Sequence, residues 1–207
     1  MFFAVREQVK IAIDMNKRYG LIKLAGQNNM SQVTTLFSKT KIDYSWSFSD
    51  KTRKDTAYIT HGYHRYPAKF IPQIVSRLAE KYTKKGDLIV DPFGGCGTTL
   101  VESKVMGRPS VGVDINPVAV LITKAKITPI NPQKIEKSFI ALKAKLNTYN
   151  KDTKVKVSEH ERIDYWFKLE EKKKLAFIFN EISKLKDQDI RDFFYCGFSN
   201  ILKNYSI

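Results

Sequence analysis

Two stretches decide how this chain is read: Asp87-Leu88-Ile89-Val90-Asp91-Pro92-Phe93-Gly94-Gly95-Cys96-Gly97-Thr98-Thr99 and, just after it, Ser110-Val111-Gly112-Val113-Asp114. Residues 87–91 form a short apolar run ending in an acid, the pattern of a buried parallel strand. Pro92 to Gly97 is a glycine-rich turn, where missing side chains allow both a sharp bend and the close approach of a ligand. Thr98 to Met106 reads as a helix closed by Gly107, and Ser110 to Asp114 as a second buried strand, again ending in an acid. Strand, turn, helix and strand within about 30 residues make one right-handed βαβ unit. Open α/β sheets bind ligands at the C-terminal ends of their strands, where this turn lies, and the helix behind it offers free N–H groups. Asp114 stands 23 residues after Asp91, the usual place of an acid that hydrogen-bonds a ribose. A phosphate loop is excluded because no Gly-Lys-Ser/Thr follows. A dinucleotide loop lacks its third glycine, since Thr99 and Leu100 continue the pattern instead.

Outward from this unit, Pro72 opens a helix whose Ile71, Ile74, Val75, Leu78 and Tyr82 share one face, with Lys84-Lys85-Gly86 as its end. Pro117 opens another, to about Lys126. After Pro129 and Pro132 come a helix over 132–149 with a stripe of Ile135, Phe139, Leu142 and Leu146, a polar loop over 150–161, and helices over 164–186 and 189–204. Upstream, residues 1–18 read as an imperfectly striped helix, 26–41 as a loop, Tyr44–Phe48 as a short strand and 49–60 as a polar connector. The expected organisation is a helix and connector over 1–54, a binding core over 55–130 and a helical region over 131–207.

The chain has 207 residues, 43% of them hydrophobic and 28% charged, which is globular composition. The formal charge of +15 is spread evenly. Residues 1–60 and 61–127 each carry 10 basic and 5 acidic side chains, and 128–207 carry 16 and 11. The positive field therefore belongs to the folded body rather than to a tail, and it favours a polyanionic partner. Two cysteines, Cys96 and Cys196, cannot build a disulfide framework, so reduced thiols and a cytoplasmic location are expected. The opening apolar run is too short for a signal peptide, and no stretch approaches the roughly 20 apolar residues of a membrane span.

The segment from Asp91 to Thr98 resembles the S-adenosylmethionine motif of the amino-group DNA methyltransferases, which methylate cytosine-N4 or adenine-N6. His61-Gly62-Tyr63-His64-Arg65-Tyr66-Pro67-Ala68-Lys69-Phe70 is similar to an element that precedes this motif in many cytosine-N4 enzymes, and Val113-Asp114-Ile115-Asn116-Pro117 resembles the family's ribose-binding strand end. The resemblance is specific over residues 55–127. It implies an α/β, Rossmann-like methyltransferase fold, incomplete here, with a helical C-terminal part, and S-adenosylmethionine as cofactor. It also implies that Lys69 and Phe70 line the methionine end, and that Asp91, Pro92 and Phe93 hold the cofactor from the first strand. Gly94, Gly95 and Gly97 would allow close approach, with Cys96 where the family often has Ser. Thr98 would cap the following helix, Asp114 would bind the ribose, Ile115 would flank the adenine and Asn116 would lie near its edge.

The family's catalytic loop is Ser/Asn/Asp-Pro-Pro followed by an aromatic, whose ring stacks on a flipped base. The seven prolines stand at 67, 72, 92, 109, 117, 129 and 132, and none are adjacent, so this motif is absent. The expectation is the cofactor-binding half of an enzyme acting on double-stranded DNA. Its catalytic half would lie on a second chain or beyond an interrupted or truncated reading frame. A non-catalytic binding remnant, an adenine-N6 enzyme and an RNA guanine-N2 methyltransferase are the alternatives. Two strands alone are too small for this fold and imply an unfilled sheet edge. His61 and His64 read as loop histidines rather than metal ligands, Tyr165-Trp166-Phe167 as helix-packing aromatics, and Glu170–Lys174 as a solvated helix face.

Overall fold

The computed structural model describes residues 43–67, 69–157, 160 and 162–206. The chain divides into two compact units, residues 1–45 and 46–207. The helix expected over 1–18 and the loop over 26–41 lie outside the described residues.

Tyr44–Trp46 is a 3-10 turn and not the expected strand. Asp43 is the reason: its Oδ1 accepts from the Ser45 N–H at 3.0 Å, and such a local bond starts a turn in place of extended backbone. Helix α1 runs over Pro72–Tyr82 with its proline in the first turn. It stops short of Gly86 because Thr83 turns to extended backbone, with φ −136° and ψ 160°, while its N–H and hydroxyl still bond the Ala79 carbonyl. Gly86 does take a positive φ of 92°, but it serves the turn into the first strand, where its N–H donates to the Gly107 carbonyl.

Strand β1 (Ile89–Asp91) and strand β2 (Ser110–Gly112) pair in parallel, with Asp91 opposite Gly112, and helix α2 (Thr98–Val105) crosses between them. Gly112 lets α2 pack closely, since a Cβ there would meet the Leu100 Cδ1 at 2.7 Å. The strands are not buried as their apolar runs predict: Val90 is 46% and Val111 47% exposed. Among the described residues the sheet has two strands, each with a neighbour along only one edge, so hydrophobicity intended for a sheet interior stays in solvent.

Helix α3 (Pro117–Ile127) packs on α2 and supplies the core, with Ile122 and Ala125 buried beside Cys96 and Ala119 buried as well. Beyond it come α4 (Pro132–Leu146), the short α5 (Ile163–Trp166), α6 (Leu169–Ser183) and α7 (Gln188–Leu202). The helix expected over 164–186 is broken at Phe167, whose backbone is extended. Helix α7 lies against α3, and its Cys196 joins the Cys96–Ile122–Ala125 core. Within 170–174, Glu170 and Lys174 are exposed while Glu171, Lys172 and Lys173 are half-buried, so that face is only partly solvated. Among the described residues no helix is long and apolar enough to cross a membrane.

Candidate functional site

The glycine turn is held open by its own backbone. The Gly94 N–H donates to the Val113 carbonyl at 2.8 Å, tying the loop after β1 to the end of β2. Gly95 and Gly97 have φ of +50° and +78°, a region that side chains rarely adopt. A Cβ on Gly97 would also lie 2.7 Å from the Thr123 side chain, so only glycine fits there. The two acids close the loop from either side. Asp91 Oδ1 accepts from the Phe93 N–H at 3.0 Å, and Asp114 Oδ2 accepts from the Gly95 N–H at 2.8 Å. The other oxygen of Asp114 accepts from the Asn116 N–H at 2.8 Å. A carboxylate oxygen accepts about two hydrogen bonds, so each retains room for a hydroxyl donor.

Thr98 does not cap α2. The residue before the helix is Gly97 in the left-handed region, and Thr98 is already the first helical residue, buried with its hydroxyl 3.9 Å from the Cys96 thiol. Capping by a side chain needs an extended backbone at the cap, which Gly97 does not have. Asn116, by contrast, caps α3: its Oδ1 accepts from the Val118 N–H at 2.9 Å. The Asn-Pro sequence is a readable signal for that role.

The arm upstream of α1, from Tyr58 to Phe70, reaches the loop. The Tyr66 ring lies 3.7 Å from where a Cβ on Gly95 would be, and packs on the Cys96–Ile122–Cys196 core. Lys69 is half-buried and donates from Nζ to the His61 carbonyl at 3.1 Å. Burial, then the charge of Lys126, holds its ammonium below the usual lysine range. Lys126 is itself buried and donates from Nζ to the Cys96 carbonyl at 2.8 Å. Helix α7 braces the arm: His64 Nε2 meets Ser199 Oγ at 3.2 Å and the Arg65 N–H donates to Asn200 Oδ1 at 3.0 Å.

Sequence reading missed the group that anchors this arm. Glu102 of α2 is only 2% exposed, and it accepts from the Tyr58 hydroxyl and from His61 Nε2, each at 2.7 Å, and from the Ser76 hydroxyl. Burial pushes the Glu102 carboxyl up, but hydrogen bonds from His61, Ser76 and Tyr58 outweigh it and the net direction is down. Burial, then the Glu102 bond, pushes the Tyr58 hydroxyl up to about 12. His61 does lie in a turn, as a loop histidine, but its side chain is fully buried. The only signal available was the coincidence of an acid, Glu102, directly after the apolar Leu100-Val101 pair with a His upstream.

The expected site residues surround the loop in separate openings. Asp114 and Ile115 line a crevice of about 470 Å³ with Leu121, Lys124 and Asp192. Asp91 and Phe70 line an apolar groove of about 360 Å³ between α1 and β1. Pro92, Phe93 and Ile115 are exposed, and Ile115 is fully so. These residues could hold a polar cofactor of S-adenosylmethionine type: Asp114 keeps spare acceptor capacity, Phe93 and Ile115 are bare apolar side chains, and the glycines leave the backbone open. Among the described residues no cluster of His, Cys, Asp and Glu could hold a metal ion.

A family model described as DNA methylase matches residues 9–125. The type II methyltransferase M.MvaI of Kocuria varians is 34% identical over 161 residues, 73% of this chain and 36% of the relative. The type II methyltransferase M.MjaII of Methanocaldococcus jannaschii is 33% identical over 177 residues, 80% of this chain and 32% of the relative. The type II methyltransferase M.BsoBI of Geobacillus stearothermophilus is 34% identical over 97 residues, 38% of this chain and 19% of the relative. No solved structure matches. The chain spans about a third of the length of the first two relatives. With a family-model match over residues 9–125, more than half of its length, the chain belongs to the DNA methylase family.

Proposed function

We propose that this chain carries the S-adenosylmethionine-binding part of a DNA methyltransferase acting on an exocyclic amino group, with cytosine-N4 favoured over adenine-N6. The observation that carries the reading is the loop closed by Asp114 on the Gly95 N–H, with Gly95 and Gly97 in conformations that leave the backbone bare. The preference for cytosine-N4 rests on the Tyr66-Pro67-Ala68-Lys69-Phe70 element, whose Tyr66 abuts that loop.

In this reading Asp114 accepts from the ribose hydroxyls, Ile115 flanks the adenine and Asn116 lies at its edge. Asp91, Pro92 and Phe93 bound the cofactor on the β1 side, and Gly94 to Gly97 let it approach. Lys69 and Phe70 enclose the methionine end. When bound, S-adenosylmethionine supplies an electrophilic methyl group for in-line attack by the amino nitrogen. The chain's contribution is positioning and a preorganised field. The residues that grip the target base belong to a Pro-Pro loop that this sequence lacks, and lie on a further segment or a second chain. The partner is double-stranded DNA, met by the +15 charge, and the setting is the cytoplasm.

Calorimetry with S-adenosylmethionine tests the reading. Binding is expected, and Asp114→Ala weakens it by about tenfold, the scale of one or two lost hydrogen bonds to a polar ligand. No heat and no thermal shift at about 1 mM cofactor overturns it. The chain alone transfers no methyl group to DNA, and measurable transfer refutes the assignment of catalysis to residues elsewhere.

A further inference from the structure

We propose that Glu102 is a positioning residue for the cofactor site: by gathering Tyr58, His61 and Ser76 around one carboxylate it sets the arm, with Tyr66 and Lys69, against the glycine loop. This rests on the cofactor-binding reading above.

Glu102 lies one helical turn behind Thr98, on the helix that leads out of the loop. A carboxylate this deep is costly unless fully hydrogen-bonded, and an apolar side chain would pack there at lower cost. Its donors come from two other segments. Tyr58 and His61 belong to the arm and Ser76 to α1, so the single group ties three pieces of chain together. The tie continues to the site, because the His61 carbonyl accepts from Lys69 Nζ. His61 Nδ1 is buried with no hydrogen-bond partner among the described residues, and the bond from Nε2 to Glu102 is what orients the ring. The Tyr58 ring meets His61 edge-on at 5.0 Å, closing the same knot.

The experiment measures cofactor affinity by calorimetry and amide hydrogen exchange of the unliganded chain, for Glu102→Leu, Glu102→Gln, Tyr58→Phe and Ser76→Ala. The Gln variant can still accept from Tyr58 and His61 and donate to the Ser76 hydroxyl, which donates onward to the Pro72 carbonyl. It is expected within about threefold of the parent in affinity. The Leu variant loses about tenfold or more, and its 58–66 amides exchange about tenfold faster while α3 and α7 are unchanged. Tyr58→Phe and Ser76→Ala fall between, and carry the test if the Leu variant does not fold. Affinity and arm exchange unchanged in every variant overturn the inference and leave the cofactor reading standing. Exchange that rises uniformly also overturns it, because Glu102 is then only a core residue. A parent chain that binds no cofactor sinks the functional reading, and arm exchange then judges the tie to Glu102 by itself.

Discussion

Around the glycine loop, backbone geometry and buried polar groups hold the chain, whereas between α6 and α7 the contacts are aromatic rings. Gly97 and Gly197 show the difference. The first has a left-handed backbone with Thr123 pressed against its bare Cα, while the second sits in mid-helix with nothing within 4 Å of an added Cβ. Glu102 knots the arm to α1 and α2, but Phe179 packs on Tyr195 and Phe198 at ring separations of 4.9 and 5.9 Å, beside an apolar cavity of about 440 Å³. The loop region admits few substitutions because each group there has a specific partner. The helical region depends on bulk and area, which many residues can supply.

The sharpest way to break this comparison is to make both glycines alanine. Gly97→Ala should cost about 2–5 kcal/mol, from the φ and the clash together. Gly197→Ala should gain roughly 0.5–1 kcal/mol from helix propensity. Urea melts of the two variants decide it, and equal effects would erase the distinction. Next in size, Ile122→Ala should cost about 2–4 kcal/mol at a fully buried site, against about 1–2 for Phe179→Ala, which is half in solvent. The same melts read both.

Two buried groups, Glu102 under the arm and Cys196 where α7 meets the core, should also fail at opposite ends of the pH scale. The Glu102 carboxyl is held below its ordinary 4.5, so its contribution is complete above that value and is lost as pH falls through the lowered one. Burial pushes the Cys196 thiol from 9.0 up to about 11, so its contribution is complete below 9.0 and is lost as pH rises through 11. Hydrogen exchange at acid and alkaline pH should show the arm loosening first in acid and α7 first in alkali. The reverse order contradicts these environments. The smallest effects are the helix caps. Asn116→Ala and Asp187→Ala should each cost about 1 kcal/mol, since each side chain satisfies N–H groups at the start of α3 or α7. A thermal scan with similar losses at both is expected, because capping is local and indifferent to what surrounds the helix.

Several elements were legible because their causes are local. Prolines at 72, 117 and 132 start helices where their missing N–H is not needed, and the runs at 87–91 and 110–114 hold the paired strands, although β2 ends at Gly112, two residues before Asp114. The glycine turn between them was read from residue type alone. Tyr44–Phe48 failed as a strand because alternation outweighed the Asx bond from Asp43, and the helix over 164–186 failed at Phe167 because hydrophobic period does not record a break. The strands were misjudged as buried because an apolar run reports what a sheet requires, while exposure depends on which neighbours are present.

By itself, then, the amino-acid order determined the βαβ unit, the glycine loop and the family to which they belong, since these follow from spacings of a few residues. Only the tertiary structure decided that His61 and Glu102 meet across 41 positions, that Tyr66 closes on Gly95, and that α7 braces the arm and core. A residue type states what chemistry a side chain can do. Which distant partner it finds is set by how helices and loops pack, and no local pattern carries that information.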